Sequence, residues 1–178
     1  ITASAGTSNL RLGVNAGNSI ASGGNYNVAI GDEAGTAITT GDANVAVGYG
    51  ALDLEDTGTN SVAIGYNALT TQNNDAANYN TAVGYDAGKA VTTGVRNTIV
   101  GGNTGVSITS GGLNTVMGFG ALNANTTGAN NVSIGADSLA ANSTASNNTA
   151  VGYTSLAANT TGTYLTAVGT YALDANTT

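Results

Sequence analysis

Residues 44–52 read Asn-Val-Ala-Val-Gly-Tyr-Gly-Ala-Leu, and residues 60–69 read Asn-Ser-Val-Ala-Ile-Gly-Tyr-Asn-Ala-Leu. The same phrase recurs along the whole chain. Its aliphatic–glycine step falls at Gly13, Gly31, Gly48, Gly65, Gly84, Gly101, Gly118, Gly135, Gly152 and Gly169. Successive glycines lie 17 residues apart, except for 18 residues before Gly31 and 19 before Gly84. A fixed period near 20 residues is the signature of a solenoid or array. One such repeat cannot bury a core alone, so it must stack on its neighbours.

The residue before the glycine is always aliphatic or Met: Leu12, Ile30, Val47, Ile64, Val83, Val100, Met117, Ile134, Val151 and Val168. Two residues earlier come Leu10, Val28, Val45, Val62, Thr81, Thr98, Thr115, Val132, Thr149 and Thr166. Side chains alternate along a strand, so these two columns share one face. The residue between them is mostly small, as in Ala29, Ala46, Ala63, Ala82, Ala150 and Ala167. The expectation is a strand whose aliphatic face lines the interior, with its small face free for close approach of another surface. Thr81, Thr98 and Thr115 would then point inward with the valines.

Asn stands four before the glycine in eight repeats, and Ser61 and Leu165 take the other two places. Stacked Asn side chains can form a hydrogen-bonded ladder. A second glycine column, seven before the first, marks an opposite corner. Beyond the main glycine lies an exchange. Where the fourth residue on is Leu (Leu52, Leu69, Leu122, Leu139, Leu156, Leu173), the seventh is polar: Glu55, Gln72, Asn125, Asn142, Asn159, Asn176. Where it is Gly (Gly17, Gly35, Gly88, Gly105), the seventh is Ile20, Ile38, Val91 or Ile108. One interior slot filled once per repeat accounts for this, since double filling overpacks and no filling leaves a cavity. A spacing of three fits either a tight helical turn or a curved loop. The longer intervals place their extra residues in polar stretches, 21–25 and 70–79.

The fold class that follows is all-β: a parallel β-roll or β-helix solenoid of about ten 17-residue rungs. It forms a single array over residues 1–178, read as a segment of a longer chain because it opens at Ile1 and stops inside a repeat. The slim rung gains from burial against other chains, with the small column as the expected contact.

Composition narrows function. The chain has no Cys and no His, which removes disulfides, thiolate metal sites and the commonest general base. Three cations face ten carboxylates, and no basic patch exists for nucleic acid. No apolar run is long enough to span a membrane as a helix. No cofactor or metal site is expected, and the chain is read as non-enzymatic. Asp53, Glu55 and Asp56 could serve a hard cation but lack a ligand-loop pattern, so solvated loop charge is the expectation. Tyr49, Tyr66, Tyr85 and Tyr153, with Phe119, follow the glycine in one column. They could contact glycans, or form a structural ladder at the corner. The Asn-X-Ser/Thr triplets at Asn125, Asn131, Asn142, Asn147 and Asn159 carry little weight in so Asn- and Thr-rich a chain.

The phrases NVAVGYGAL, NSVAIGYNAL, NTAVGYDAG, NTVMGFGAL and NTAVGYTSL resemble the head repeats of trimeric autotransporter adhesins, the YadA-like head. Similar NTAVG-type arrays occur in bacteriophage tail fibres. The resemblance spans Asn9 to Leu173 and implies a parallel β-roll assembled as a homotrimer. It also implies a role in attachment to a host cell-surface glycan or protein, on a virion or at a bacterial cell surface. The period here is longer than the family's usual one, and no stalk, neck or anchor phrase is present. A phage tail fibre is therefore the first reading and a bacterial adhesin head the alternative. An ice- or surface-binding solenoid is a further alternative, motivated by the Thr and Asn enrichment. The inward placement expected for Thr81, Thr98 and Thr115 counts against it.

Overall fold

A computed structural model describes residues 6–178; residues 1–5 of the predicted array lie outside the described residues. Ten three-residue strands follow in order: β1 (Leu10–Leu12), β2 (Val28–Ile30), β3 (Val45–Val47), β4 (Val62–Ile64), β5 (Thr81–Val83), β6 (Thr98–Val100), β7 (Thr115–Met117), β8 (Val132–Ile134), β9 (Thr149–Val151) and β10 (Thr166–Val168). They form one sheet in sequence order, each parallel to the next. Register is one-to-one, column on column: Val45 pairs Val62, Ala46 pairs Ala63 and Val47 pairs Ile64. The chain is thus an all-β solenoid that advances one strand per turn. At about 4.8 Å per rung, β1 and β10 stand roughly 43 Å apart.

The corner after each strand needs glycine. Gly48 has φ +125°, and an ideal Cβ there would lie 2.5 Å from the carbonyl oxygen of Gly65 on the next rung. No L side chain is accommodated in that conformation or in that space.

The expected faces of the strand are reversed. The small column points inward: Ala29, Ala46, Ala63, Ala82, Ile99, Val116, Ser133 and Ala150 are fully buried. The aliphatic column points out. Ile30, Val47, Val83, Val100, Ile134 and Val151 are half-buried, while Ile64, Met117 and Val168 are exposed, as is Leu12. Thr98 and Thr115 are exposed and Thr81 half-buried. Alternation tells which residues share a face, but the bore decides which face turns in. A 17-residue turn is narrow, and the slot residues already fill it from the opposite side. An ideal Cβ on Gly35 would sit 3.7 Å from the Ala46 Cβ, so the slot lies directly over the strand's small column.

The slot itself is as expected. Leu52, Leu69, Leu122, Leu139 and Leu156 are fully buried, as are Ile38, Val91 and Ile108, with Ile20 nearly so. Leu173 belongs to the last rung and is exposed. The spacing of three is one hydrogen-bonded turn: Ile38 N–H donates to the Gly35 carbonyl at 3.2 Å, and Asn142 N–H to the Leu139 carbonyl at 3.1 Å. The first residue of that turn is left-handed whether Gly (Gly35, φ +56°) or Leu (Leu139, φ +49°). Left-handed backbone costs an L residue roughly 1–2 kcal/mol. Burying a Leu side chain returns about 1.5–3 kcal/mol. These terms nearly balance, so the chain can use Leu here or leave Gly and fill the slot from Ile three residues later. It cannot do both, because a Cβ on Gly35 would fall 2.8 Å from Ile38 Cδ1.

Candidate interaction surface

The outward strand columns form a continuous stripe along the rod. Neither column contains a charged residue over ten rungs. The stripe is mostly Val and Ile, with Thr at Thr81, Thr98, Thr115, Thr149 and Thr166. Its side chains stand on a hydrogen-bonded parallel sheet, so their spacing is fixed by the rung height.

The aromatic column borders this stripe at the glycine corner. Tyr49 and Tyr66 stack with centroids 5.2 Å apart, and Tyr66 and Tyr85 with centroids 5.5 Å apart. Tyr153 meets Tyr171 edge-on at 5.4 Å. All of them, with Phe119, remain exposed. Stacking turns ring faces toward one another, so the Tyr49–Tyr66–Tyr85 file presents edges and hydroxyls, with open faces only at its ends. Tyr26, Tyr79 and Tyr164 lie at a separate exposed corner, each left-handed.

Beyond the half-buried Asn9 the Asn column is buried, and most of its bonds go to backbone and not from Asn to Asn. Asn44 Nδ2 donates to the Gly58 carbonyl, and its Oδ1 accepts the Ser61 N–H at 2.9 Å. Asn97, Asn114, Asn131 and Asn148 repeat both bonds. Asn114 Nδ2 also reaches Asn97 Oδ1 at 3.1 Å. Each side chain thus supplies backbone partners where no strand ladder exists. A second file runs through the polar slot position: Asn142 donates to Asn125 Oδ1 and Asn159 to Asn142 Oδ1. Burial of Asn125, Asn131, Asn142 and Asn159 takes those four glycosylation triplets off the surface, while Asn147 is exposed.

The acidic triplet is split by the fold. Asp53 and Asp56 are half-buried, but Glu55 is fully buried. That overturns the reading of Glu55 as solvated loop charge. Its column, three after a buried Leu, was the signal, since every other polar residue of that column except Asn176 on the last rung is also buried. Among the described residues no group of three or more His, Cys, Asp or Glu could hold a metal ion.

No family model, curated protein or solved structure matches the chain. Among the described residues no helix is long and apolar enough to cross a membrane.

Proposed function

We propose that the chain is a non-enzymatic fibre segment that self-associates along its outward stripe. It is the shaft or head of a bacteriophage tail fibre that serves host attachment, with the head of a bacterial trimeric surface adhesin as the alternative. The observation that carries this reading is the charge-free aliphatic stripe that runs along β1–β10. A contiguous exposed apolar surface of this length marks an interaction site. The partner must repeat at the rung height to match it over its whole length, and a second copy of the chain does so by construction. The resemblance of the repeat phrase sets the copy number at three. The aromatic column borders the contact and is the part left to meet a host glycan or protein.

Native mass spectrometry tests the assembly. The expected mass is three chains of 17.2 kDa. Ile64→Lys combined with Val100→Lys should leave a folded monomer, since both side chains point outward. A wild-type chain that stays monomeric at micromolar concentration overturns the proposal.

One observation favours a second reading. Thr98 and Thr115 point outward beside Val100 and Met117, on a regularly spaced sheet. The objection to an ice- or surface-binding solenoid was that this column faces inward, and that objection is removed. Thermal hysteresis by the wild-type chain, lost in Thr98→Tyr with Thr115→Tyr, would support it. Absence of hysteresis excludes it.

A further inference from the structure

The rod is not held together uniformly. From Asn9 to Ser61, and again from Asn80 to Leu165, an Asn side chain on each rung accepts the backbone N–H of the next. Ser61 interrupts the file because it has no side-chain carbonyl, and Gln72 engages its hydroxyl instead. The interruption coincides with the 19-residue turn between Gly65 and Gly84. Gln72 Nε2 donates to Ser61 Oγ and to Glu55 Oε2, both at 2.8 Å, and Gln72 Oε1 accepts from Asn80 Nδ2 at 2.8 Å. The longer turn brings in Asn78, whose Nδ2 donates to Glu55 Oε2 at 2.9 Å. Gly58 N–H donates to Glu55 Oε1 at 2.9 Å. Asn78 Oδ1 is buried without a partner.

We infer that this cluster is an acid-responsive joint between the stretches β1–β4 and β5–β10. It has one hydrogen-bond arrangement for each protonation state of Glu55, and rotation of the Asn78 amide exchanges them. With Glu55 ionised, its two oxygens accept N–H groups from Gln72, Asn78 and Gly58, and Asn78 Oδ1 is left over. With Glu55 protonated, the new O–H needs an acceptor. Turning the Asn78 amide through about half a revolution puts Oδ1 where Nδ2 now lies; the unpartnered oxygen gains its bond, and Nδ2 gives up its long 3.4 Å bond to the Asn74 carbonyl.

The surroundings make the exchange accessible. Glu55 is fully buried, and no cation compensates it: the ion pair among the described residues joins Lys89 to Asp86. Burial, the largest influence, pushes its carboxyl above the ordinary 4.5, and the nearby Asp56 charge adds to this. Hydrogen bonds from Gln72 and from the Gly58 and Asn74 backbone oppose the rise. Asp75, on the inserted turn, accepts from Thr57 Oγ1.

The chain contains only two glutamates, Glu33 and Glu55, so selective carboxyl ¹³C labelling gives two signals, and Glu55→Gln assigns them. The expected result is a Glu55 midpoint above 4.5, the ordinary value, with the side-chain amide signals of Asn78 moving at the same midpoint. In Glu55→Gln those signals should hold their acid-state position at every pH, because the amide that replaces the carboxyl is a permanent donor to Asn78 Oδ1. A Glu55 midpoint at or below the ordinary 4.5 overturns the inference. So does an Asn78 amide that stays still while Glu55 titrates. The wild-type titration alone decides the matter if Glu55→Gln fails to fold.

Discussion

Asn131 Oδ1 accepts the backbone N–H of Asn148, one rung on, at 3.0 Å, and Asn131 Nδ2 donates to the Ala145 carbonyl at 2.9 Å. Both backbone groups belong to a buried part of the next turn that lies outside the strand ladder. Asn131→Ala leaves the Asn148 N–H without its acceptor, whereas the Ala145 carbonyl keeps Asn142 Nδ2 at 3.0 Å. An unsatisfied buried backbone group costs about 1–3 kcal/mol. The expected loss is therefore about 1–3 kcal/mol, read from the shift in denaturant midpoint at unchanged slope. Asn147→Ala, one residue before the next ladder Asn and exposed, should cost far less. Equal effects at the two positions would show that the file contributes nothing to stability.

The slot exchange makes a sharper prediction. Gly35→Leu alone should destabilise by about 1–3 kcal/mol through overpacking against Ile38. Gly35→Leu with Ile38→Asn recreates the arrangement of the rungs that carry Leu139 and Asn142, and should recover most of that loss. The same pair of changes at Gly105 and Ile108 should not recover. Ile99, not Ala, faces inward there, and its Cγ2 lies 3.5 Å from an ideal Cβ on Gly105. Thermal unfolding of these three variants and of Gly105→Leu alone checks both halves. Rescue at Gly105 would mean that the strand side of the slot does not constrain its filling.

The slot was legible in the sequence because compensation between two columns reports a shared volume, whatever the backbone does. The orientation of the strand was not. The alternation of Val62, Ala63 and Ile64 is identical for either facing, and hydrophobicity alone favours turning the larger pair inward. What decides is the bore, and the bore depends on left-handed turns at Leu52, Leu69 and Leu139, which no apolar pattern announces. Burial of Glu55 was legible only through its column. Its neighbours Asp53 and Asp56 made it look like part of a charged loop.

Orientation can be tested directly. Ala63→Leu places a large side chain in a fully buried position against the slot and should abolish cooperative folding or cost several kcal/mol. Ile64→Ser, on the outward face and 38% exposed, should cost under about 1.5 kcal/mol in the isolated chain while weakening self-association. Circular dichroism melts and sedimentation equilibrium separate the two effects. If Ile64→Ser unfolds the monomer and Ala63→Leu is tolerated, the facing of the sheet is the reverse of that described.

Glu55 also gives the stability of the rod a defined pH dependence. Its folded pKa lies above the ordinary 4.5, so between those two values the folded chain binds more protons than the unfolded one. Stability contributed by this group is therefore full below the ordinary 4.5, falls as pH rises through the folded value, and is flat above it. Each tenfold difference in proton affinity is worth about 1.4 kcal/mol. For a chain of this length that corresponds to about 2–4 °C per kcal/mol. The other carboxylates also titrate in acid, so the informative quantity is the difference between wild type and Glu55→Gln. Wild type should gain melting temperature relative to the variant as pH is lowered from neutrality toward the ordinary carboxyl value of 4.5. A wild type that instead loses ground to the variant over that window would mean that the N–H donors, and not burial, dominate the carboxyl.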